Sequence, residues 1–374
     1  MAAPLALAAI LAAGAWAGPV RAADSTSTRP WYQSITLNGL VESSISHSFN
    51  RPGSRTNALR VFDTDDNTWR LDLLELVVQQ SPAGPGHAGF RFDLATGSSV
   101  PRVAAAAGLF RDPKTGEAGD MDLQQAYLGY VAPVGSGLRM DLGKFITHTG
   151  AEVIDGYDGF NDNATRSFLF GYAIPFTHTG LRLSYALGPR LSAQACVMNG
   201  WDNARDNNGA LTFGGQLAWT PTPALTVFLN ALAGPEQAGN DSSRRSLADV
   251  VITWKMHPRV TLGLNADLGH EIAAADSGRA DAQWEGLAGY ARVVVAGGFS
   301  VAARGEYFRD RQGARTGTAQ KVREVTLTPE LRVAGGMLLR ADLRHDWSDA
   351  AVFDREGGGT KSQTTLMFEA ILPF

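Results

Sequence analysis

The chain has 374 residues, of which 44% are apolar and 19% charged, with a formal net charge of −4 and a single cysteine, Cys196. This composition excludes a disordered chain, and the mild acidity excludes a nucleic-acid binder, which needs a strong basic excess. One cysteine rules out an intrachain disulfide and a zinc–thiolate centre, so another device must close the fold; no metal or cofactor is expected.

From the N terminus, Met1 to Val20 is rich in Ala and Leu and ends near Val20-Arg21-Ala22, a small-residue cleavage site, with Ala15-Trp16-Ala17 as a second option. No Lys or Arg precedes this apolar core. Residues 1–22 are expected to be a signal peptide for export, and residues 23–374 one mature domain. Past residue 20, no stretch reaches the roughly 18 apolar residues that a membrane helix requires.

The mature region is hardly helical; segments of about ten residues carry apolar side chains at every second position. Trp69 to Gln80 is the first with an irregular phase, since Leu73-Leu74 and Val77-Val78 interrupt it, and either a β-bulge or a shifted boundary would repair it. Leu181, Leu183, Tyr185 and Leu187 then oppose Arg182 and Ser184, and Leu211, Phe213, Leu217 and Trp219 oppose Thr212, Gln216 and Thr220. Val260, Leu262, Leu264, Ala266 and Leu268 oppose Thr261, Asn265 and Asp267. Trp284 to Val295 can be read in either register, and a β-bulge or a shifted boundary would repair it as well. Leu339, Ala341, Leu343 and Trp347 oppose Arg340, Asp342, Arg344 and Asp346, and the final strand places Leu366, Phe368, Ala370, Leu372 and Phe374 on one face. A strand alternates its faces, so each segment has one apolar and one polar side.

Connectors alternate in size. Short ones fall near Ser81 to Gly89, Pro133 to Gly137, Gly188 to Arg190, Pro221 to Pro223, His257 to Arg259, Gly297-Gly298 and Gly335-Gly336. Longer polar stretches fall near 48–68, 97–120, 146–178, 202–209, 235–246, 271–282, 310–320 and 348–361. Short turns alternating with long loops predict an all-β fold: a transmembrane antiparallel barrel of about sixteen strands in meander order, with turns on the periplasmic side and loops outside. Full closure leaves no unpaired backbone in lipid. A barrel of this size keeps an aqueous lumen. Trp69, Tyr127, Trp201, Trp219, Trp254, Tyr307 and Trp347 lie at or near strand ends, where an aromatic girdle is expected to meet lipid headgroups.

Several strings resemble a family of outer-membrane proteins, the putative β-barrel porin-2 or OmpL-like family. They are Gln125-Ala126-Tyr127, Ala132-Pro133-Val134-Gly135, Gly143-Lys144-Phe145, Glu152-Val153-Ile154 and the run from Ser167 to Gly180. Asn199-Gly200-Trp201-Asp202 with Asp206-Asn207-Asn208, and Arg304-Gly305-Glu306-Tyr307-Phe308, complete an ordered set over most of the mature chain. The resemblance implies a pore-forming barrel, and neither a reaction nor a substrate.

The expected function is passive diffusion of small hydrophilic solutes or ions across the outer membrane. A substrate-selective channel, or a plugged structural or adhesive barrel acting through its loops, is the alternative. By strand parity the lumen should be lined by Arg91, Asp93, Arg139, Asp141, Arg182, Asp249, Lys255, Asp267, Arg304, Glu306, Arg340, Asp342 and Arg344. Mixed signs predict weak ion selectivity, while cross-strand pairing within the wall is the plainer role of the same residues. The longest connector, Thr147 to His178, carries Glu152, Asp155, Asp158, Asp162 and Arg166 with Phe168, Phe170, Tyr172 and Phe176. An apolar cluster in a loop must pack onto something, so this loop is expected to fold inward and narrow the pore; an outer lid or a trimer latch is the other reading.

Asp63 to Asn67 resembles the opening of a calcium loop, but Thr68 replaces the turn glycine and Leu74 the closing glutamate, leaving a solvated acidic loop. Asp202-Asn203 and Asp206 to Asn208 could bind a surface cation, a solvated loop being the plainer reading here too. The histidines are scattered and no hydrolase or nucleotide signature is present, so no enzyme is expected, although His148 and His178 bracket one connector and could meet. Outer-membrane lipid, small solutes and the insertion machinery, reading the terminal Phe374, are the expected partners. A homotrimer is carried by analogy alone.

Overall fold

A computed structural model describes residues 31–374 apart from positions 113, 276, 277 and 279; the expected signal segment 1–22 lies outside them. A short 3-10 turn, Trp31–Ser34, belongs to a separate unit ending at Ile35. The remainder is built on β1 (Thr36–Ser48), β2 (Thr68–Gln80), β3 (Ala88–Thr96), β4 (Met121–Ala132), β5 (Leu138–Ile146) and β6 (Thr177–Gly188). Then come β7 (Leu191–Met198), β8 (Thr212–Thr222), β9 (Leu225–Pro235), β10 (Arg244–His257), β11 (Val260–Ala275) and β12 (Ala280–Ala296). Last are β13 (Phe299–Asp310), β14 (Gln320–Arg332), β15 (Leu338–Ser348), a small hairpin of β16 (Phe353–Arg355) and β17 (Gly358–Thr360), and β18 (Ser362–Pro373). All but the hairpin join in one closed antiparallel barrel of 16 strands, each paired with its chain neighbour and β1 with β18.

Alternation dictates which side each residue takes. Leu128, Leu142, Phe213, Leu217, Leu268, Leu327, Leu343 and Phe368 are exposed on the outward face. On the adjacent positions Asp141, Asp267, Thr326, Thr328, Asp342, Arg344 and Glu369 are buried. The polar side is therefore the inside, the reverse of a soluble core.

Two irregular segments resolve differently. In β2, Glu42 pairs with Leu73 and Ser43 with Leu71, so Asp72 is an extra residue. This bulge turns both Asp72 and Leu73 inward. No bulge interrupts β12 along Ala282 to Val293. Its phase is ambiguous in sequence because the inward row, Trp284, Gly286 and Ala288, is apolar too.

The aromatic expectation needs correcting at two positions. Trp69, Trp219 and Trp254 are exposed, and Tyr307 and Trp347 lie on the outward row. Tyr127, however, faces inward beneath Arg182, and Trp201 is buried between Arg245 and Arg315. A further correction is the two-turn helix Val100–Ala107 in the loop after β3, with a proline in its first turn. The helix buries Val100 and Ala104 in a cluster with Leu73 and Ala95.

The barrel closes on a reciprocal pair of hydrogen bonds, Gly39 N–H to Phe374 O at 2.8 Å and Phe374 N–H to Gly39 O at 2.9 Å. Only glycine fits there, because a Cβ at position 39 would stand 2.4 Å from the Phe374 ring.

Candidate functional site

The loop between β5 and β6 leaves the wall at Ile146 and lies within the barrel. Gly150 N–H donates to Asp249 Oδ1 (3.0 Å) and Ala151 N–H to Asn265 Oδ1 (2.9 Å), on β10 and β11. The chain then reaches the opposite side, where Tyr157 N–H donates to Glu75 Oε2 (2.6 Å) and Asp158 meets Arg91 (2.5 Å). It turns back to Arg292 through Asp162 (2.9 Å) and to Thr328 through Asn163 (2.6 Å). Thr165 N–H binds Asp342 Oδ2 (2.8 Å), and the N–H groups of Phe168 and Leu169 converge on Glu306 (2.7 and 2.6 Å). Leaving a backbone N–H buried and unpaired is costly, so these carboxylates and amides fix the path of the loop.

Apolar packing explains why this segment enters the lumen. Residues Leu169–Ala173 form a single π-helical turn, buried with Phe168, Ile174, Trp284, Phe308 and Val322. Gly286 makes room for it: a Cβ there would stand 2.4 Å from Leu169 Cδ1. The turn is bonded at its end as well, by Trp284 Nε1 to Ala173 O (3.1 Å) and Arg315 Nε to Tyr172 O (2.6 Å).

All five ionic residues singled out in the loop hold partners. Glu152 accepts Ser167 N–H (2.8 Å) and pairs with Arg304 (2.7 Å); Asp155 pairs with Arg166 (2.6 Å); Asp158 and Asp162 reach Arg91 and Arg292. Arg166 also sits over the rings of Phe62 and Phe170. Oxygens of Glu42, Asp155 and Glu369 lie within 4.8 Å of one another, a spacing that suits a cation. Arg166 and Arg340, bonded to Asp155 and Glu369, already fill that role.

The thirteen wall residues separate into two groups. Arg304, Glu306, Arg340, Asp342 and Arg344 are buried beneath the loop on β13 and β15. Arg304 joins Glu152 to Glu324 (2.6 Å), Arg340 pairs with Glu369, and Arg344 with Asp346 (2.7 Å). Asp249 is buried among Asn230, Asn265 and Gly150, with Asp267 directly opposite. Arg91 and Asp93 bind each other (2.7 Å), and Arg139 and Arg182 share Asp141 (both 2.9 Å). Of the thirteen, Arg139, Arg182 and Lys255 keep appreciable exposure.

The same division runs around the whole wall. Inward residues of β13 to β15, β18 and β1 are buried, whereas Ser184, Gln194, Gln216, Phe228, Thr253, Thr261, Tyr290 and Arg292 stay partly open. Two cavities of about 270 and 350 Å³ share Ala151, Glu152, Val153, Val251 and Thr253 and line this open side.

Sequence reasoning missed the loop between β1 and β2. Arg60 is fully buried, bonded to Asp63 and Asp346 (both 2.7 Å), while Val61 and Phe62 pack against the lumenal loop. Asp63 and Asp66 are buried, so the acidic run is not a solvated loop; only Asp65 is about half exposed. Asp202 is not solvated either: it accepts Phe176 N–H (2.6 Å) and Thr177 N–H (2.9 Å), and burial raises its carboxyl to about 6. Asp206 caps the turn at Asn208 and Gly209 (both 2.9 Å).

His148 and His178 do meet, with ring centroids 6.1 Å apart. Thr147 Oγ1 lies 3.1 Å from His178 Nε2, but the other ring nitrogen faces the Gly200 carbonyl (3.2 Å) and not a carboxylate. Both rings are enclosed; burial, with Arg182 nearby, lowers His148 to about 4.

The sequence profile described as putative β-barrel porin-2, OmpL-like, matches residues 34–374. No curated protein matches the chain. Among solved structures, an anion-selective porin from Comamonas acidovorans is similar at 13% identity and a TM-score of 0.61, over 91% of this chain and 99% of that one. OmpT of Vibrio cholerae, folded in vitro and in a trimer form, is similar at 13% and 0.59 over 91% and 99%. The outer-membrane channel DcaP of Acinetobacter baumannii is similar at 12% and 0.58 over 91% and 97%.

Proposed function

The chain belongs to the putative β-barrel porin-2, OmpL-like family, and from that premise we propose an outer-membrane diffusion porin whose bore is narrowed by residues 147–176 and displaced toward β5–β12. One observation carries this reading: the loop is bonded to side chains on facing walls, Glu75 of β2 and Asp249 of β10. A loop held from both sides obstructs the lumen as a fixed object. Solutes pass along the partly open wall of Gln216, Thr253, Thr261 and Arg292, which offers an amide, hydroxyls and a guanidinium beside Phe228. Passage needs no cofactor and no covalent step, so the barrel acts as a channel and not an enzyme.

Arg139, Arg182 and Lys255 present their charged ends to this bore, while the wall acid Asp141 is hidden beneath its arginines. That arrangement supports a weak preference for anions. The assembly we favour is a trimer, the form recorded for the Vibrio protein. Lipid surrounds the outward apolar face, and Phe374 serves recognition by the insertion machinery. Planar-bilayer conductance tests the central reading: replacing residues 151–175 with a short Gly-Ser linker should raise the unit conductance, and an unchanged value would sink it.

A further inference from the structure

The outward face is apolar or aromatic at most positions near the loop ends of the strands, where Trp69 and Leu71, Met121, Val197 and Phe213 stand exposed. One sector departs from this. On the outward rows of β12 to β14, and at the loop residue just after β13, lie Glu285, Arg309, Arg311, Lys321 and Arg323. Arg309 and Lys321 are direct cross-strand partners, so two like charges face each other on one surface. Such a pair weakens a sheet unless something negative lies across it.

The protein itself supplies little. Glu285, opposite Arg309, is shared between Arg309 (3.5 Å) and Arg311 (2.8 Å). Asp349 spends one oxygen on the Lys321 backbone N–H (2.8 Å). Four cations thus stand over two carboxylates, and among the described residues neither Lys321 nor Arg323 has an acid partner. One row toward the barrel's middle from Arg309 and Lys321, and level with Arg323, are its two cross-strand partners, Tyr307, whose ring lies 5.6 Å from the Arg323 guanidinium, and Trp347. Beyond these the outward residues are Val325, Leu327 and Leu343, all exposed. A cationic row, a row of Arg323 between two aromatics and an apolar strip therefore succeed one another down the same wall.

We propose that this sector binds a phosphate-bearing lipid of the outer leaflet, its phosphate between Arg309, Lys321 and Arg323 and its chains along Val325, Leu327 and Leu343. A soluble anion has no use for the apolar strip, whereas a lipid fills both halves. Phosphate accepts several charge-assisted hydrogen bonds and removes the Arg309–Lys321 conflict.

The test uses the full chain refolded in non-ionic detergent and titrated with diphosphorylated lipid A, with phosphatidylcholine and with inorganic phosphate, bound lipid being counted by native mass spectrometry. Lipid A should be retained and phosphatidylcholine should not. The Lys321→Gln/Arg323→Gln double variant should bind lipid A about tenfold more weakly, as expected for lost charged contacts. Arg244→Gln, an exposed arginine at the start of β10, should bind as the wild type does. A second variant reads the conflict directly. Lys321→Glu should melt above the wild type without lipid, because it now pairs with Arg309, yet gain less from added lipid A. Equal retention of lipid A by the double variant, equal loss in Arg244→Gln, equal binding of phosphatidylcholine, or displacement by inorganic phosphate would each overturn the proposal.

Discussion

Replacing Arg304 should unfasten the lumenal loop without opening the barrel. Its guanidinium is fully buried and bonds Glu152 Oε1 and Thr165 O on the loop (both 2.7 Å) and Glu324 Oε1 on the wall (2.6 Å). Arg304→Met preserves most of the side-chain volume but leaves Glu152 and Glu324 facing a thioether. Breaking a buried ion pair from one side costs about 3–5 kcal/mol. Expressed on the loop, that shifts its displaced state by about two to three and a half powers of ten. The ladder between β13 and its neighbours is made by the backbone, so heat-modifiable migration on gels should still report a folded barrel. Single-channel recordings should change from steady steps to flicker with a raised mean conductance. Adding Glu152→Gln should recover part of the loss, because the carboxylate left unpaired is then gone. A folded variant with quiet, wild-type conductance would refute the idea that this pair holds the loop.

The same geometry sets three further outcomes. Gly286→Val should disturb the π-helical turn, because its Cβ would overlap Leu169; we expect about 1–3 kcal/mol of destabilisation, read as faster hydrogen exchange at Phe168 and Leu169. Arg139→Glu with Arg182→Glu should move the zero-current potential in a salt gradient toward cations, and a potential that stays put would remove these residues from the bore; the effect should shrink at high salt. The lowered pKa of His148 makes the folded state bind fewer protons than the unfolded one between about 4 and the usual value. Its contribution to stability is therefore complete above pH 6.5 and is lost as the pH falls toward 4. His148→Gln should flatten the acid dependence of denaturant midpoints in that window.

The barrel could be read from the chain because its outward face has one solvent, lipid, and so keeps a strict period of two. The inward face has two neighbours, water and protein, and there the signal fails. Trp284, Gly286 and Ala288 face inward yet are apolar, because Leu169 and Phe168 cover them, and this is what blurred the register of β12. Likewise Asp63 looked solvated, although it is buried against Arg60, which is pinned to Asp346, 286 positions away. Parity could assign Arg304, Arg340 and Arg344 to the inside, but not which inside residues a loop would bury. The inward fold of 147–176 was legible from its aromatic cluster, whereas its partners on β2, β10 and β13 were not, since nothing local marks them.

The loop is gripped by its amide groups. Asp249, Asn265, Glu75, Asp342, Glu306 and Asp202 all accept hydrogen bonds from peptide nitrogens of residues 150–177. Every amino acid but proline offers that same nitrogen, so this part of the grip, unlike the ion pairs of Glu152, Asp158 and Asp162, does not depend on which side chains the loop carries. Outside those ion pairs and the buried turn, mutations can therefore exchange what the loop displays to passing solutes while leaving its course unchanged. A lineage could retune permeability one substitution at a time, with no need to rebuild the structure that holds the filter in place.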